Sequence, residues 1–561
     1  MSSARSHSPF DVIVVGGGCG GIVTAIRAHD LGLRVVVVEA MSAVGGATAF
    51  SGGQVWVGAN HVMARMGLSD TLADTRTYVR AITDARGLID EAVSDQWIDS
   101  AVVAARYLED AGAIRWEIIP GYPDYYLEAP GSRLEGRYLT AASIAGKELG
   151  EWQGRLLRSP HFPVGVTYSE LFELGASSGK DRLRALVTER IQDDILTFGT
   201  GIMAHLVRGA ASRRFPLLLE HRAVELLTDS GRVTGVRCQT VDGEVDLHGQ
   251  VVLATSAYDW NPEMVRKYSW LRPSDTGSVA PPGVRGDGIR LAQAAGADIT
   301  ELPADAIPHV PGYRLSTRSD FDAGYRISAE FALPHCFIVD SSGRRFCDDS
   351  FYPAIVHAVL DGAASTPSPH QPFFLIWDEE HHRKYGLGPV GPGANYPQGL
   401  VTSAQTHREL AARLGIDPGN LASTATSFNR SAHIGVDPEF GRGMNDSVKR
   451  FRGDPNHRPN PLLGPVASPP FFGMRMLLVC TAIGAAGVRT GLHGRALAPD
   501  GNPVQGLYAI GAAAALTTSG TGYNSGFSLS RAMTFGFLAA TDIHARTLGT
   551  VSLGDPSRPT A

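Results

Sequence analysis

The sequence predicts an α/β fold in which a parallel-sheet nucleotide domain, assembled from both ends of the chain, is interrupted by a second domain of α+β character. Three observations carry this. A strand, a glycine-rich turn, a helix and a second strand open the chain, and another strand that ends in glycine and leads into a helix lies near its close. At 561 residues the chain also exceeds what one hydrophobic core organises, so at least two domains are expected.

Residues 11–15 (DVIVV) form the short β-branched run of a buried parallel strand. It ends in Gly16-Gly17-Gly18-Cys19-Gly20-Gly21, a GxGxxG in the required place, followed by a helical pattern and a strand over 34–38 that ends in Glu39. Gly16 permits the tight turn, Gly18 lets backbone approach a pyrophosphate, and Gly21 allows close helix packing, while the helix N-terminus at Cys19 and Gly20 faces the phosphates. Glu39, with Ala40 beside it, is placed to accept hydrogen bonds from a ribose. The unit is Rossmann-like, and which dinucleotide it holds is decided by what comes next. Residues 45–53 form a second small-residue loop, GGATAFSGG, for which an ordinary NAD enzyme has no use. In flavoproteins such a loop wraps the pyrophosphate and passes close to the isoalloxazine, so FAD is the expected cofactor, with Ala47, Thr48, Ser51, Gly52 and Gly53 against it.

Between the two ends, residues 226–244 read as strand, turn, strand, with the adenine-side backbone near Val224. Residues 506–511 read as a strand ending in Gly511, followed by a glycine-spaced loop and a helix from about Ser528. Gly511, Ala512, Ser528 and Leu529 are expected at the flavin, with the positive end of the helix directed at its pyrimidine.

Composition excludes several classes. The chain has 50 Lys and Arg against 56 Asp and Glu, and no basic cluster recurs, so a nucleic-acid partner has no electrostatic footprint. The N-terminus runs directly into a strand, and no stretch reaches the length of a membrane span, so no stable membrane insertion and a cytoplasmic location are expected. The five cysteines are scattered without CxxC spacing, which signals neither a metal site nor a disulfide framework. Residues 151–180 read as an irregular lid or interface insertion, and the tail after Leu553 as frayed.

Taken together, GGGCGG, Glu39, GGATAFSGG and the C-terminal GLYAIG with GYNSGFSLSRAMTFG resemble the flavoprotein superfamily of fumarate reductases and 3-ketosteroid dehydrogenases. Arg285-Gly286-Asp287-Gly288-Ile289 resembles the hinge into the substrate domain, with Asp287 at the cofactor. Residues 343–349 (GRRFCDD), 438–443 (PEFGRG) and 469–472 (PPFF) continue the pattern. The resemblance implies FAD-binding segments at 1–284 and 470–561 around a substrate-binding domain at 285–469. Ala512 departs from the family, standing where Asn or Glu is usual.

Within that superfamily, fumarate reductases use cations to hold a dicarboxylate. Here Tyr523 stands at their arginine position and Ile483 at their histidine position, and a carboxylate left unpaired in a desolvated site is costly. Ketosteroid dehydrogenases use tyrosines instead. By resemblance Tyr125 belongs to an aromatic loop over the substrate, Tyr122-Pro123-Asp124-Tyr125-Tyr126, Tyr352 is the proton-abstracting tyrosine, and Tyr523 with the Gly526 amide binds the ketone oxygen. The implied reaction desaturates a carbon pair beside the ketone of an apolar, steroid-sized substrate: an α-proton leaves to tyrosinate, a β-hydride goes to flavin N5, and an external acceptor takes the electrons. A free tyrosine titrates near pH 10, so Tyr352 needs activation. Tyr523-Asn524-Ser525-Gly526 has one residue fewer than the Tyr-Pro-Gly-Pro-Gly of the Δ1-dehydrogenases. It looks more like the Δ4-(5α)-dehydrogenases, with the Ser525 hydroxyl at the substrate. A flavin ene-reductase of the fumarate type and a flavoprotein without turnover are the competing readings.

Overall fold

The computed structural model describes residues 10–83, 87–162, 165–174, 180–315, 322–361 and 368–549, so the tail after Leu553 and residues 163–164 and 175–179 of the lid segment lie outside it. Val12–Val15 and Val35–Val38 are buried at every position, as in a sheet covered on both faces. They pair in parallel, and on its other side Val12–Val15 pairs with Gln250–Leu253. That strand pairs in turn with Pro503–Ala509, with Val252 opposite Tyr508, so the C-terminal segment completes the N-terminal sheet. Leu217–Leu218 closes one edge in parallel and Arg495–Leu497 the other in antiparallel sense.

The two helices that flank the glycine turns cross at glycine. A Cβ on Gly20, in Cys19–Asp30, would lie 2.9 Å from the Ala532 carbonyl oxygen, and one on Gly536, in Phe527–Thr547, 2.5 Å from that of Gly20. No side chain fits there, so both ends of the chain are locked backbone to backbone. The strand–turn–strand read at 226–244 becomes a three-stranded antiparallel sheet of Arg222–Asp229, Arg232–Thr240 and Gly243–His248.

A second, seven-stranded sheet is built on Phe471–Cys480, which pairs with Val310–Arg314, Phe373–Trp377, Thr276–Ser278 and Thr402–Ala404. The sequence places the crossings at 284/285 and 469/470, whereas Thr276–Ser278 and Phe471–Cys480 both belong to the second sheet. The reason lies in the run FFGMRMLLVC, whose Phe472, Met474, Met476 and Leu478 enter the core of the second domain, with Phe471 in a smaller cluster. Beneath this sheet Arg345 pairs with Asp349 at 2.9 Å and Asp437 at 2.8 Å, and Arg442 reaches Asp349 at 3.2 Å. All four side chains are buried. This lattice fixes the chain just before Tyr352 at the start of the helix Tyr352–Leu360.

Candidate active site

A single cavity of about 1370 Å³ runs from the N-terminal glycine turn, along the seam between the two sheets, to a cluster of tyrosines. At its first end Gly16 takes φ +115°, and a Cβ there would lie 2.5 Å from the Ala254 carbonyl oxygen. Gly18 differs: an added Cβ would meet only the Thr48 hydroxyl, at 3.9 Å, so it would project into the open cavity. The Glu39 carboxylate accepts from the Gly17 amide at 2.8 Å and the Met41 amide at 2.9 Å. Burial pushes its carboxyl up against these bonds and the nearby Arg222. Glycine cradle, fixed carboxylate and two helix N-termini opening on one cavity are the donor set that a dinucleotide requires.

The middle of the cavity is shaped by 45–53. Gly53 at φ +66° stands where a Cβ would be 2.2 Å from the Phe198 carbonyl carbon, and one on Gly199 would be 1.9 Å from the Thr48 carbonyl oxygen, so this loop is pressed onto the helix Phe198–Arg213. The Ser51 hydroxyl donates to the Thr48 carbonyl at 2.7 Å, and the Tyr168 hydroxyl to that of Gly52 at 2.7 Å. With Phe162, Leu171 and Phe172, Tyr168 brings part of the predicted lid into the wall.

At the far end Tyr125, Tyr352, Tyr523, Ser525 and Gly526 line the same space. Tyr125 meets Tyr352 edge to face, with centroids 6.0 Å apart, and stacks on Phe451 at 5.7 Å. Burial raises the Tyr352 hydroxyl well above the usual tyrosine range, and the nearby Tyr125, Tyr523 and Tyr126 hydroxyls raise it further. The arginines nearest in sequence do not offset this: Arg345 is held in the buried lattice and Arg344 donates to Asn420 at 3.0 Å. Gly526 caps the helix Phe527–Thr547 at φ +88°, where a Cβ would be 2.7 Å from the Trp56 amide nitrogen.

Of the site residues expected from sequence, Gly16, Gly18, Cys19, Gly20, Glu39, Ala40, Ala47, Thr48, Ser51, Gly52, Gly53, Asp287, Gly511, Ala512, Ser528 and Leu529 line the cavity with the five tyrosine-end residues. Two do not. Gly21 is a packing residue, since its Cβ would sit 2.0 Å from the Gly16 carbonyl oxygen. At Val224 strand alternation turns the side chain outward, 43% exposed, and its neighbour Ala223 lines the cavity. Asp287 is paired with Arg222. The Ser525 hydroxyl is directed at Gln54 Oε1, and Gln54 Nε2 donates to the Tyr122 hydroxyl at 3.2 Å.

Sequence reasoning missed Asn524. It is fully buried, its Oδ1 accepts from the Tyr125 amide at 2.8 Å and the Tyr138 hydroxyl at 3.0 Å, and its Nδ2 donates to the Tyr78 hydroxyl at 2.8 Å. Asn524 therefore ties the aromatic loop to the loop that carries Tyr523 and Gly526. A second anchor holds the aromatic loop from below: Asp124 accepts from Trp56 Nε1 and Arg137, each at 2.8 Å, and Arg137 pairs with Asp70 at 2.8 Å. Trp56 and Tyr138 carried no motif, and Arg137, though part of the stretch that resembles the aromatic loop, gave no sign of its buried pairing with Asp70 and Asp124; these partners lie too far along the chain for any local pattern to report.

The family model for the FAD binding domain matches residues 11–529. The 3-oxosteroid 1-dehydrogenase of Mycobacterium tuberculosis (strain ATCC 25618 / H37Rv) is 31% identical over 95% of this chain and 98% of its own length. The chain belongs to the 3-ketosteroid dehydrogenase family of FAD-dependent oxidoreductases. Within that family of CH-CH dehydrogenases its backbone follows the solved 3-ketosteroid delta1-dehydrogenase from Sterolibacterium denitrificans, in complex with 1,4-androstadiene-3,17-dione, with a TM-score of 0.86 and 28% identity. That match covers 96% of this chain and 100% of the other. The chain is also similar to the 4-oxocyclohexanecarboxylate 2-dehydrogenase of Sinomonas cyclohexanicum, at 30% identity over 97% of this chain and 94% of that protein's length. The positions at which fumarate reductases are expected to carry cations, Ile483 and Tyr523, line this cavity uncharged. Among the described residues, no helix is long and apolar enough to cross a membrane.

Proposed function

We propose that the protein desaturates the carbon pair beside the ring ketone of an apolar, steroid-sized substrate, and that it forms the 1,2-double bond of a 3-ketosteroid. The observation that carries this reading is the convergence of Tyr125, Tyr352, Tyr523 and Gly526 on one cavity that continues to the glycine cradle. FAD, when bound along that cavity, supplies the hydride acceptor.

The protein residues divide the remaining work. Tyr523 Oη and the Gly526 N–H hold the ketone oxygen, and because negative charge grows there as the α-proton leaves, preorganised donors at that atom lower the barrier most. Tyr352 Oη takes the α-proton. Burial keeps its hydroxyl protonated at neutral pH, so only the ionised fraction acts as base, its proton having been lost to solvent by way of the adjacent Tyr125 hydroxyl before the substrate closes the site. Tyr125, stacked on Phe451, covers the ring and excludes water. An external acceptor removes the electrons.

The Tyr-x-Ser-Gly spacing points to 4,5-desaturation by placing a serine hydroxyl at the substrate. Two observations support the 1,2-position instead: the Ser525 hydroxyl is engaged by Gln54, and two of the proteins reported above, the Mycobacterium tuberculosis relative and the solved Sterolibacterium denitrificans enzyme, carry that regiochemistry in their names. Turnover of a 4-ene-3-ketosteroid and of a 5α-saturated 3-ketosteroid with an artificial acceptor, with the new double bond located by NMR, tests the proposal. A 1,4-diene from the first substrate is expected. A 4-ene from the second with no reaction of the first would move the chemistry to the 4,5-bond, and inertness toward both would remove steroids from the substrate class.

A further inference from the structure

Arg531 lies in the second turn of the helix that Gly526 caps, with 3% of its surface exposed. Its Nη2 donates to the Ala515 carbonyl at 2.8 Å, and its Nε is buried without an acceptor. The other deeply buried arginines are compensated by carboxylates: Arg137 by Asp70 and Asp124, Arg345 and Arg442 by Asp349. Among the described residues no carboxylate pairs with Arg531. Burial pushes its guanidinium down to about 10, which leaves it cationic at neutral pH; Tyr523 meets the ring of Phe527, one turn before Arg531 on the same helix face, with centroids 6.0 Å apart, and negative charge at Tyr523 would raise the guanidinium again. The effect is mutual: burial and Tyr125 raise the Tyr523 hydroxyl, and Arg531 opposes them.

A buried charge with no counter-charge is strongly unfavourable. The helix N-terminus adds its own positive end on the same side, so it does not compensate the cation. What would compensate it is an anion formed at Tyr523. We propose that Arg531 is a positioning residue that supplies the counter-charge for negative charge on the ketone oxygen, acting through the Tyr523 hydroxyl. The inference rests on the reading of Tyr523 as the group that holds that oxygen.

A site built this way binds an oxyanion in preference to its neutral form, which an ionisable phenol reports without turnover. The experiment titrates 4-nitrophenol into the oxidised, FAD-loaded enzyme and reads the ionised fraction of the bound phenol by difference absorption. The wild-type protein is expected to prefer the phenolate. R531M, whose unbranched apolar side chain fills a similar volume, is expected to lose about tenfold of that preference, one unit in the phenol's bound pKa. R531K, which keeps the charge, is expected to retain most of it and provides the comparison should R531M fold poorly. In Y523F the preference is lost and R531M removes nothing more. An unchanged phenolate preference in R531M, or the same loss in the Y523F background as in the wild type, overturns the role of Arg531 while leaving that of Tyr523 intact. Wild-type preference in Y523F overturns both.

Discussion

Replacing Asn524 with alanine separates the two halves of the tyrosine cluster. In the native site Asn524 makes one hydrogen bond each with the Tyr125 amide and the Tyr138 hydroxyl and two with the Tyr78 hydroxyl, and Tyr78 in turn accepts from the Tyr126 amide at 3.3 Å. Each bond contributes about 1 kcal/mol net, and an orphaned buried donor costs about 1–3 kcal/mol more. The Tyr125 N–H is such a donor in N524A, because the alanine offers it no acceptor. A loss of about 4 kcal/mol is expected, measured as the shift in urea midpoint at constant slope. The bonds that break also position Tyr125 against Tyr352, so kcat/KM should fall about 100-fold or more under conditions where the variant remains folded. N524D retains the acceptor oxygen for Tyr125 and Tyr138 and should recover more than half of the lost stability. A stability change in N524A below about 0.5 kcal/mol, the size of an ordinary surface substitution, would refute the view that this residue couples the two loops.

Further outcomes follow from the same geometry. G526A places a Cβ 2.7 Å from the Trp56 amide nitrogen at φ +88°, which costs about 1–3 kcal/mol in backbone strain; turnover should drop about 100-fold with the protein still yellow. The reductive half-reaction, followed by stopped flow, should quicken with rising pH throughout the range below the Tyr352 pKa, since that pKa is raised and only the ionised fraction is basic; Y352F should abolish the reaction while leaving ligand binding intact. Burial raises the Asp542 carboxyl, but bonds from Arg495 at 2.8 Å and Tyr508 at 2.7 Å outweigh it and hold its pKa below the usual value. Its contribution is therefore present above the unfolded carboxyl pKa of about 3.9 and is lost as pH falls through the lower folded one. D542N should cost about 3 kcal/mol at neutral pH, a deficit that shrinks on acidification. All five cysteines are buried and burial raises each thiol, so a thiol reagent should titrate none quickly in the native protein and five after denaturation.

The sequence made the cofactor half of the molecule readable because its requirements are local. A backbone that must pass close to a pyrophosphate needs glycine at fixed offsets from a strand, and Gly16, Gly18 and Gly53 are placed accordingly. The same holds for the C-terminal unit, whose strand and helix announce themselves by pattern and whose joining to the first sheet follows from the resemblance. The second domain was less legible. The alternation that marks a half-buried strand is blurred in Phe471–Cys480 because both ends of the strand are buried on each face and only Arg475 is exposed, and the paired prolines before it read as a boundary. The positions of Tyr125 and Tyr352 came from the resemblance, but the residues that hold them, Asn524, Asp124, Arg137 and Gln54, act through partners brought together only by folding. Val224 shows the opposite limit: the strand was read correctly, and a shift of one residue along it exchanged the wall of the cavity for the surface.

The most direct test of the central claim is anaerobic mixing of the purified, FAD-loaded protein with a 4-ene-3-ketosteroid in the absence of nicotinamide, followed at the visible band of oxidised flavin. The account predicts bleaching in a single enzyme equivalent of substrate, lost in Y352F. A band unchanged across saturated and unsaturated ring ketones would contradict it.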